Sequence, residues 1–170
     1  MCQQDLKKYD SIRIAGIVRE SIVDGPGLRF AVFCQGCPHG CPGCHNQETH
    51  DFNGGYDCDI SKIVDAVDKD PLLDGVTFSG GEPFCQPEPL AALGRMVRAT
   101  GGHVMTYTGY VYEDLLEMAK TDPAIGNLLS VTNVLVDGPY VEELRDLTLE
   151  FRGSSNQRLI TLDQPADAPL

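Results

Sequence analysis

The sequence predicts an α/β fold built on a mostly parallel sheet. Strand-like segments alternate with amphipathic segments of about ten residues, which is the pattern of βαβ units. Three of the strand-like segments also run straight into glycine- or cysteine-rich loops, after Phe33, Ser79 and Tyr107. Open parallel sheets bind ligands at the carboxyl ends of their strands, so these loops are expected to share one rim. The 170 residues suit one domain at roughly 150 residues per domain. They fall short of the ~250 residues of a complete eightfold barrel.

The elements follow in order. Residues 11–18 (SIRIAGIV) are rich in β-branched side chains and predict a strand. Residues 28–33 alternate Leu28, Phe30 and Val32 on one face, the period of a strand. Ile60, Ile63, Val64 and Val67 fall at i, i+3, i+4 and i+7, one apolar helical face with Asp59 as the expected N-cap. A short strand at 75–79 ends in Gly80-Gly81. Leu90, Leu93 and Val97 mark a helix over 88–99, and 103–107 a strand. Tyr112, Leu115, Leu116 and Ala119 mark a helix over 111–120, and 131–136 a strand. A short helix after residue 142 and a last strand at 159–162 complete the chain. A single domain over 1–162 is expected, with a disordered tail at 163–170.

Charge narrows the function classes. The 25 acidic and 13 basic side chains give a net charge of −12, which argues against a nucleic-acid partner that must be met with Lys and Arg. The acidic surface is read first as solvation, second as recognition of a basic face. No apolar run approaches the roughly 20 residues of a membrane span. The first ten residues lack the apolar stretch of a secretory signal, so a cytoplasmic protein is expected.

Cysteine usage is the strongest local signal. Four of the seven cysteines fall in CQGCPHGCPGC, residues 34–44. In a reducing compartment such a cluster points to metal binding or catalysis rather than disulfides. Cys37, Cys41 and Cys44 form C-x3-C-x2-C, and thiolates suit zinc or iron–sulfur clusters. Three thiolates on a cubane of four irons leave one iron for an outside ligand. The spacing differs from the ferredoxin run C-x2-C-x2-C-x3-C. Two competing readings are a redox dithiol and a four-cysteine zinc site that adds Cys34. The zinc site would separate its two cysteine pairs by only three residues. Cys34 ends a strand and is read as a spectator. Cys2, Cys58 and Cys85 are read as free thiols, Cys85 lying close to Gly80-Gly81.

A family resemblance rests on these residues. C-x3-C-x2-C after the first strands, then a strand running into Gly-Gly-Glu-Pro, resembles the radical S-adenosylmethionine (SAM) enzymes. DGPGLR (24–29), GCPHGCPGCHN (36–46), TFSGGEP (77–83), YTGY (107–110), VLVDGPY (134–140) and FRGSSNQ (151–157) occur in that order. Together they resemble the activating proteins of anaerobic (class III) ribonucleotide reductase, over about residues 12–160. The resemblance implies a partial, open (β/α) barrel of the radical SAM type with mostly parallel strands. It implies a [4Fe–4S] cluster held by Cys37, Cys41 and Cys44, and SAM bound by Gly43, Cys44, His45, Gly80, Gly81 and Glu82. No catalytic residue beyond the cluster and the SAM site is implied. Reductive cleavage of SAM would yield a 5′-deoxyadenosyl radical that takes hydrogen from a glycine of the reductase large subunit. A flavodoxin-like or other small reductant would supply the electron. Gly43 stands where many superfamily members carry an aromatic residue, and His45 where this subgroup often does.

Physical roles accompany the resemblance. Gly80 and Gly81 let backbone approach a ligand closely. Glu82 offers a carboxylate to the SAM ammonium or sulfonium. Arg29 faces SAM, faces the partner or is solvated. Tyr107–Tyr110 and Asp137–Tyr140 sit at strand ends, and FRGSSNQ is either a docking or SAM-binding segment or a solvated loop. His39 is read as a loop residue beside the cluster, and His50 and His103 as structural. The alternatives are the activator of another glycyl radical enzyme of the pyruvate formate-lyase type, a small-molecule radical SAM enzyme, and a non-catalytic electron carrier or zinc module.

Overall fold

A computed structural model describes residues 10–162; the expected disordered tail and Cys2 lie outside the described residues. The chain opens with an antiparallel hairpin, β1 (Ser11–Ser21) and β2 (Arg29–Cys34), turned by the segment that contains DGPG. A short strand β3 (Tyr56–Asp59) pairs antiparallel with the first half of β1. Then come α1 (Ile60–Asp68), β4 (Gly75–Gly80), α2 (Pro87–Ala99) and β5 (His103–Tyr107). Last come α3 (Tyr112–Ala119), α4 (Pro123–Val131), β6 (Val134–Asp137) and β7 (Arg158–Thr161).

The strands form one seven-stranded sheet in the order β3-β1-β2-β4-β5-β6-β7. β2, β4, β5 and β6 are mutually parallel, and β3, antiparallel to β1, points the same way. Only β1 and β7 run against them, so the sheet is mixed with mostly parallel strands.

Strand alternation sorts the side chains of this sheet. Phe30, Val32 and Cys34 of β2, Val76 and Phe78 of β4 and Val104 of β5 join Ile63, Leu90, Leu93 and Leu128 of the helices in one core. Each large apolar side chain buried there contributes roughly 1.5–3 kcal/mol. The other parity is more polar: Arg29, Ala31, Thr77, Ser79 and Met105. Arg29 is fully buried, against the reading of a solvated side chain. Its Nε donates to Thr77 Oγ1 at 3.1 Å and its Nη2 to the carbonyls of Val76 and His103. Burial without a carboxylate partner lowers its pKa to about 10, partly offset by Asp74. Thr77 Oγ1 in turn donates to the Asp24 carbonyl at 2.7 Å, tying the hairpin turn to the sheet.

Several expected elements differ in detail. β3 and α4 carry no counterpart in the sequence reading. The strand expected from 131 begins at Val134, because Val131 closes α4. The short helix after 142 is a single 3-10 turn, Glu142–Leu144. Asp59 precedes α1 in an extended conformation but makes no capping bond; its carboxylate lies 3.4 Å from Lys62.

One ion-paired knot fixes the far end of the sheet. Asp137, buried at the end of β6, accepts from Arg158 Nε at 3.0 Å and from its Nη2, and also from the Tyr112 N–H at 2.8 Å. Arg158 forks onto Glu113 as well. Truncating Arg158 leaves the Asp137 carboxylate buried with one remaining donor. Because the Arg158 side chain is 47% exposed, Arg158→Ala is expected to cost about 2 kcal/mol, less than the ~3–5 of a wholly buried pair. Urea unfolding checks this, and Glu113→Ala, at an exposed position, is expected to change little.

Candidate functional site

The loops after β2, β4 and β5 do share one rim. They enclose a cleft of about 330 Å³, floored by the strand-end residues Phe33, Ser79 and Tyr107. Its walls come from the cysteine loop, from Gly80-Gly81, from Thr108-Gly109 and from the 138–157 segment.

The cysteine loop has no regular structure of its own, so backbone bonds must hold it. Gly36 N–H donates to the Thr49 carbonyl at 2.7 Å and Cys37 N–H to the His50 carbonyl at 3.1 Å, closing the loop at its base. Within it, Cys44 N–H donates to the Cys41 carbonyl at 3.2 Å. Buried Gln35 reaches across the base, its Nε2 donating to the carbonyls of Glu48 and Asp51. Gln86 binds the Arg13 backbone through both ends of its amide. Sequence reasoning passed over both glutamines; an amide in a loop leaves no periodic signal.

The Gly80-Gly81 turn is bonded to the same loop. Gly81 N–H donates to the Cys34 carbonyl at 2.7 Å, and Glu82 N–H to the Gly36 carbonyl at 2.8 Å. Gly80 has φ +90°, a region glycine enters freely. A Cβ on Gly81 would sit 2.4 Å from the Gly36 carbonyl oxygen.

Cys37, Cys41, Cys44, His45, Gly80 and Gly81 all line the cleft. Gly43 lies off the lining, with Glu142 packed against it. Glu82 also lies off it. Its side chain is 0% exposed, and both oxygens are taken by protein donors rather than open to a ligand. Oε1 accepts from Phe84 N–H at 3.0 Å and from the Thr108 hydroxyl at 2.9 Å. Oε2 accepts from Gly109 N–H at 2.9 Å and from His39 Nε2 at 2.6 Å. His39, Asp24, Asn46, His50, Tyr140, Gly153 and Gln157 also line the cleft, although the sequence predicts only a structural role for His50. Arg29, Tyr110, Asn156 and His103 do not reach it. Tyr140 and His45 approach with ring centroids 5.4 Å apart.

The remaining thiols separate by environment. Cys34 is fully buried and points into the helix-side core, where burial drives its pKa far above the ordinary thiol value. It therefore cannot supply the fourth ligand of a zinc site on the cleft. Burial pushes Cys85 up to about 11, with Glu82 adding to it. Cys37 is also raised by burial, offset in part by a backbone hydrogen bond at His39.

Comparison with known proteins adds to this geometry. The chain matches the family described as "4Fe-4S single cluster domain" over residues 23–160. It is 36% identical over 144 residues to the anaerobic ribonucleoside-triphosphate reductase-activating protein of Salmonella typhi, covering 80% of this chain and 90% of that one. The chain belongs to this family of activating proteins. It is also 36% identical over 132 residues to the pyruvate formate-lyase-activating enzyme of Clostridium pasteurianum, covering 74% of this chain and 55% of that one. The crystal structure of QueE from Escherichia coli aligns over 64% of this chain and 57% of its own, at 14% identity and a TM-score of 0.46.

An activating protein of this family is a radical SAM enzyme that works with an iron–sulfur cluster and SAM. The residues present fit those groups. The cleft offers three half-buried thiols, the soft ligands that iron–sulfur clusters take. Among the described residues no three His, Cys, Asp or Glu side chains converge as ligands of a single ion, and a polynuclear cluster asks for wider spacing than one ion does. Beside the thiols, the side-chain-free wall of Gly80-Gly81 leaves room for a second ligand.

Proposed function

We propose that Cys37, Cys41 and Cys44 hold the [4Fe–4S] cluster in this cleft and that Gly80 and Gly81 receive SAM beside it, for formation of the glycyl radical of an anaerobic ribonucleotide reductase. The observation that carries the reading is the meeting of three thiols and a glycine pair on one open cleft. When bound, cluster and SAM supply one-electron cleavage and the hydrogen-abstracting radical.

The chain's own residues bind, orient and shield. The three thiols give up their protons as they take metal. Cys44 serves at the end of its loop, with Gly43 turning the chain before it and His45 presenting an imidazole toward Tyr140 behind it. Phe33 and Tyr107 form a floor that keeps water from the reacting centre. The open mouth admits a protein segment, as a protein substrate requires.

We read the sheet as a partial, open (β/α) barrel within a single domain over 1–162. The protein substrate is the reductase large subunit and the electron donor a flavodoxin-like or similar small protein. The net charge of −12 supports a role without nucleic acid. Among the described residues no helix is long and apolar enough to cross a membrane. A thiolate-held cluster suits the reducing cytoplasm.

The test is anaerobic. The chain is loaded with iron and sulfide, reduced, and given SAM together with either an anaerobic ribonucleotide reductase or a pyruvate formate-lyase. The expected result is 5′-deoxyadenosine plus a glycyl-radical EPR signal on the reductase alone. A signal on the formate-lyase alone would transfer the chain to the alternative activase reading, which the match to the Clostridium pasteurianum enzyme favours. Intact SAM over a loaded cluster would overturn the catalytic reading.

A further inference from the structure

Glu82 belongs to the Gly-Gly-Glu-Pro run, yet its carboxylate does not look into the cleft. It lies behind the cleft wall, 0% exposed, and collects four donors from three separate loops. Phe84 comes from its own loop, Thr108 and Gly109 from the loop after β5, and His39 from the cysteine loop. A carboxylate acts here purely as an acceptor, so His39 presents Nε2 as an N–H. His39 sits midway between Cys37 and Cys41. Its ring is held on a second side by Tyr110, edge to face with centroids 4.5 Å apart. The bonds at the base of the cysteine loop reach only Gly36 and Cys37. Of the side-chain hydrogen bonds in the described residues, the one from His39 to Glu82 alone joins the interior of the 37–44 loop to another loop.

We propose that Glu82 is a positioning residue: through His39 it fixes the loop that presents Cys37, Cys41 and Cys44, and so acts on cluster retention rather than on SAM. The inference rests on the assignment of those three cysteines as the cluster ligands. Its physical basis is that partners behind metal ligands set the ligands' orientation, and their loss typically weakens metal retention about 10–100-fold. Glutamine cannot replace Glu82. Whichever way its amide turns, the –NH2 end faces a backbone N–H, that of Phe84 or of Gly109, and leaves it without its acceptor. Glutamine can replace His39 in part, since its amide still carries an N–H to donate.

The experiment compares wild type, Glu82→Gln, His39→Ala, His39→Gln and the double variant Glu82→Gln/His39→Ala. Each is loaded anaerobically and challenged with an iron chelator, and the affinity of the loaded fraction for SAM is measured separately. Amide hydrogen exchange over 37–44 is followed in the cluster-free chain, with α3 and α4 as internal references for global folding. We expect cluster loss to accelerate about tenfold or more in Glu82→Gln and His39→Ala. The double variant should be no worse than either single one, and His39→Gln should recover much of the retention. Exchange over 37–44 should rise while α3 and α4 hold, and SAM affinity per loaded cluster should stay unchanged in Glu82→Gln, whose side chain lies off the cleft. Weaker SAM binding with normal retention in Glu82→Gln would overturn the proposal, because Glu82 would then contact SAM. Normal retention and exchange in His39→Ala would also overturn it. Cys37→Ala is the reference: if that variant keeps its cluster, the ligand assignment falls and the exchange arm alone decides the clasp.

Discussion

Replacing any one of Cys37, Cys41 or Cys44 with alanine is expected to abolish cluster loading and reduce SAM cleavage to background. A cubane held by three thiolates has no protein ligand to spare, and among the described residues the cleft lining holds no fourth thiol. Cys34 is the nearest in sequence, but its side chain faces the opposite side of the sheet, among Phe30, Val32 and Phe78. Burial holds it as a neutral thiol, and bringing it to the cleft would require flipping the end of β2. Cys85 lies off the cleft lining. Cys58 sits on the edge strand β3, at the far side of β1 from β2. The contrast is therefore sharp: Cys58→Ala and Cys85→Ala should load iron and sulfide as wild type does. Iron and sulfide analysis, visible absorbance and low-temperature EPR of anaerobically loaded samples check all five variants. Full loading of a Cys41→Ala sample would mean that another side chain supplies the third ligand.

The parts of the fold legible in the sequence were those with a period. α1 and α2 bury one face each, and Phe30 and Val32 of β2 alternate toward the helix-side core, so their apolar residues recur at the spacing of the element. β3 has no such pattern, because Tyr56–Asp59 is a largely exposed edge strand held by backbone pairing to β1. α4 is different: it did carry a start signal. Asp122 caps it by accepting from Ala124 N–H at 3.1 Å, and Pro123 occupies its first turn. The weight given to the strand VTNVLV hid that signal, since Val131 reads equally well as strand or helix end.

The site divides in the same way. That the thiols and the glycine pair meet on one cleft was legible, because each follows a parallel strand at its carboxyl end. The surroundings of Glu82 were not, because a carboxylate beside a ligand loop reads as a ligand contact until its neighbours are known. Four donors drawn from residues 39, 84, 108 and 109 can be assembled only by the folded sheet. The same holds for Arg29, whose three acceptors lie on β4 and β5, more than forty residues away.

Gly81→Ala is expected to damage stability and SAM binding together. The added methyl would meet the Gly36 carbonyl oxygen at 2.4 Å, with the Cys34 carbonyl at 3.0 Å. Both neighbours are backbone, so neither can rotate away. Relief requires the turn to lift from the cysteine loop, which breaks the bonds from Gly81 N–H to Cys34 and from Glu82 N–H to Gly36. Two such bonds contribute roughly 0.5–1.5 kcal/mol each. With residual backbone strain of ~1–3 kcal/mol the loss is about 3 kcal/mol. For a chain of this size that is a fall in melting temperature of about 6–12 °C. Gly80→Ala should be at least as harmful, since φ +90° is strained for alanine and its methyl would lie 2.5 Å from the Cys34 nitrogen. Gly16→Ala is the control: it lies in β1 with nothing within 4 Å of the new methyl, and should melt as wild type does. Thermal unfolding measures the stability arm, and SAM titration of the cluster-loaded protein below its melting point measures the other. The two losses should appear together because one turn both seals the cysteine loop to β4 and forms the wall beside which we propose that SAM binds. A Gly81→Ala protein that melts early but binds SAM normally would separate those roles and move the SAM site away from this turn.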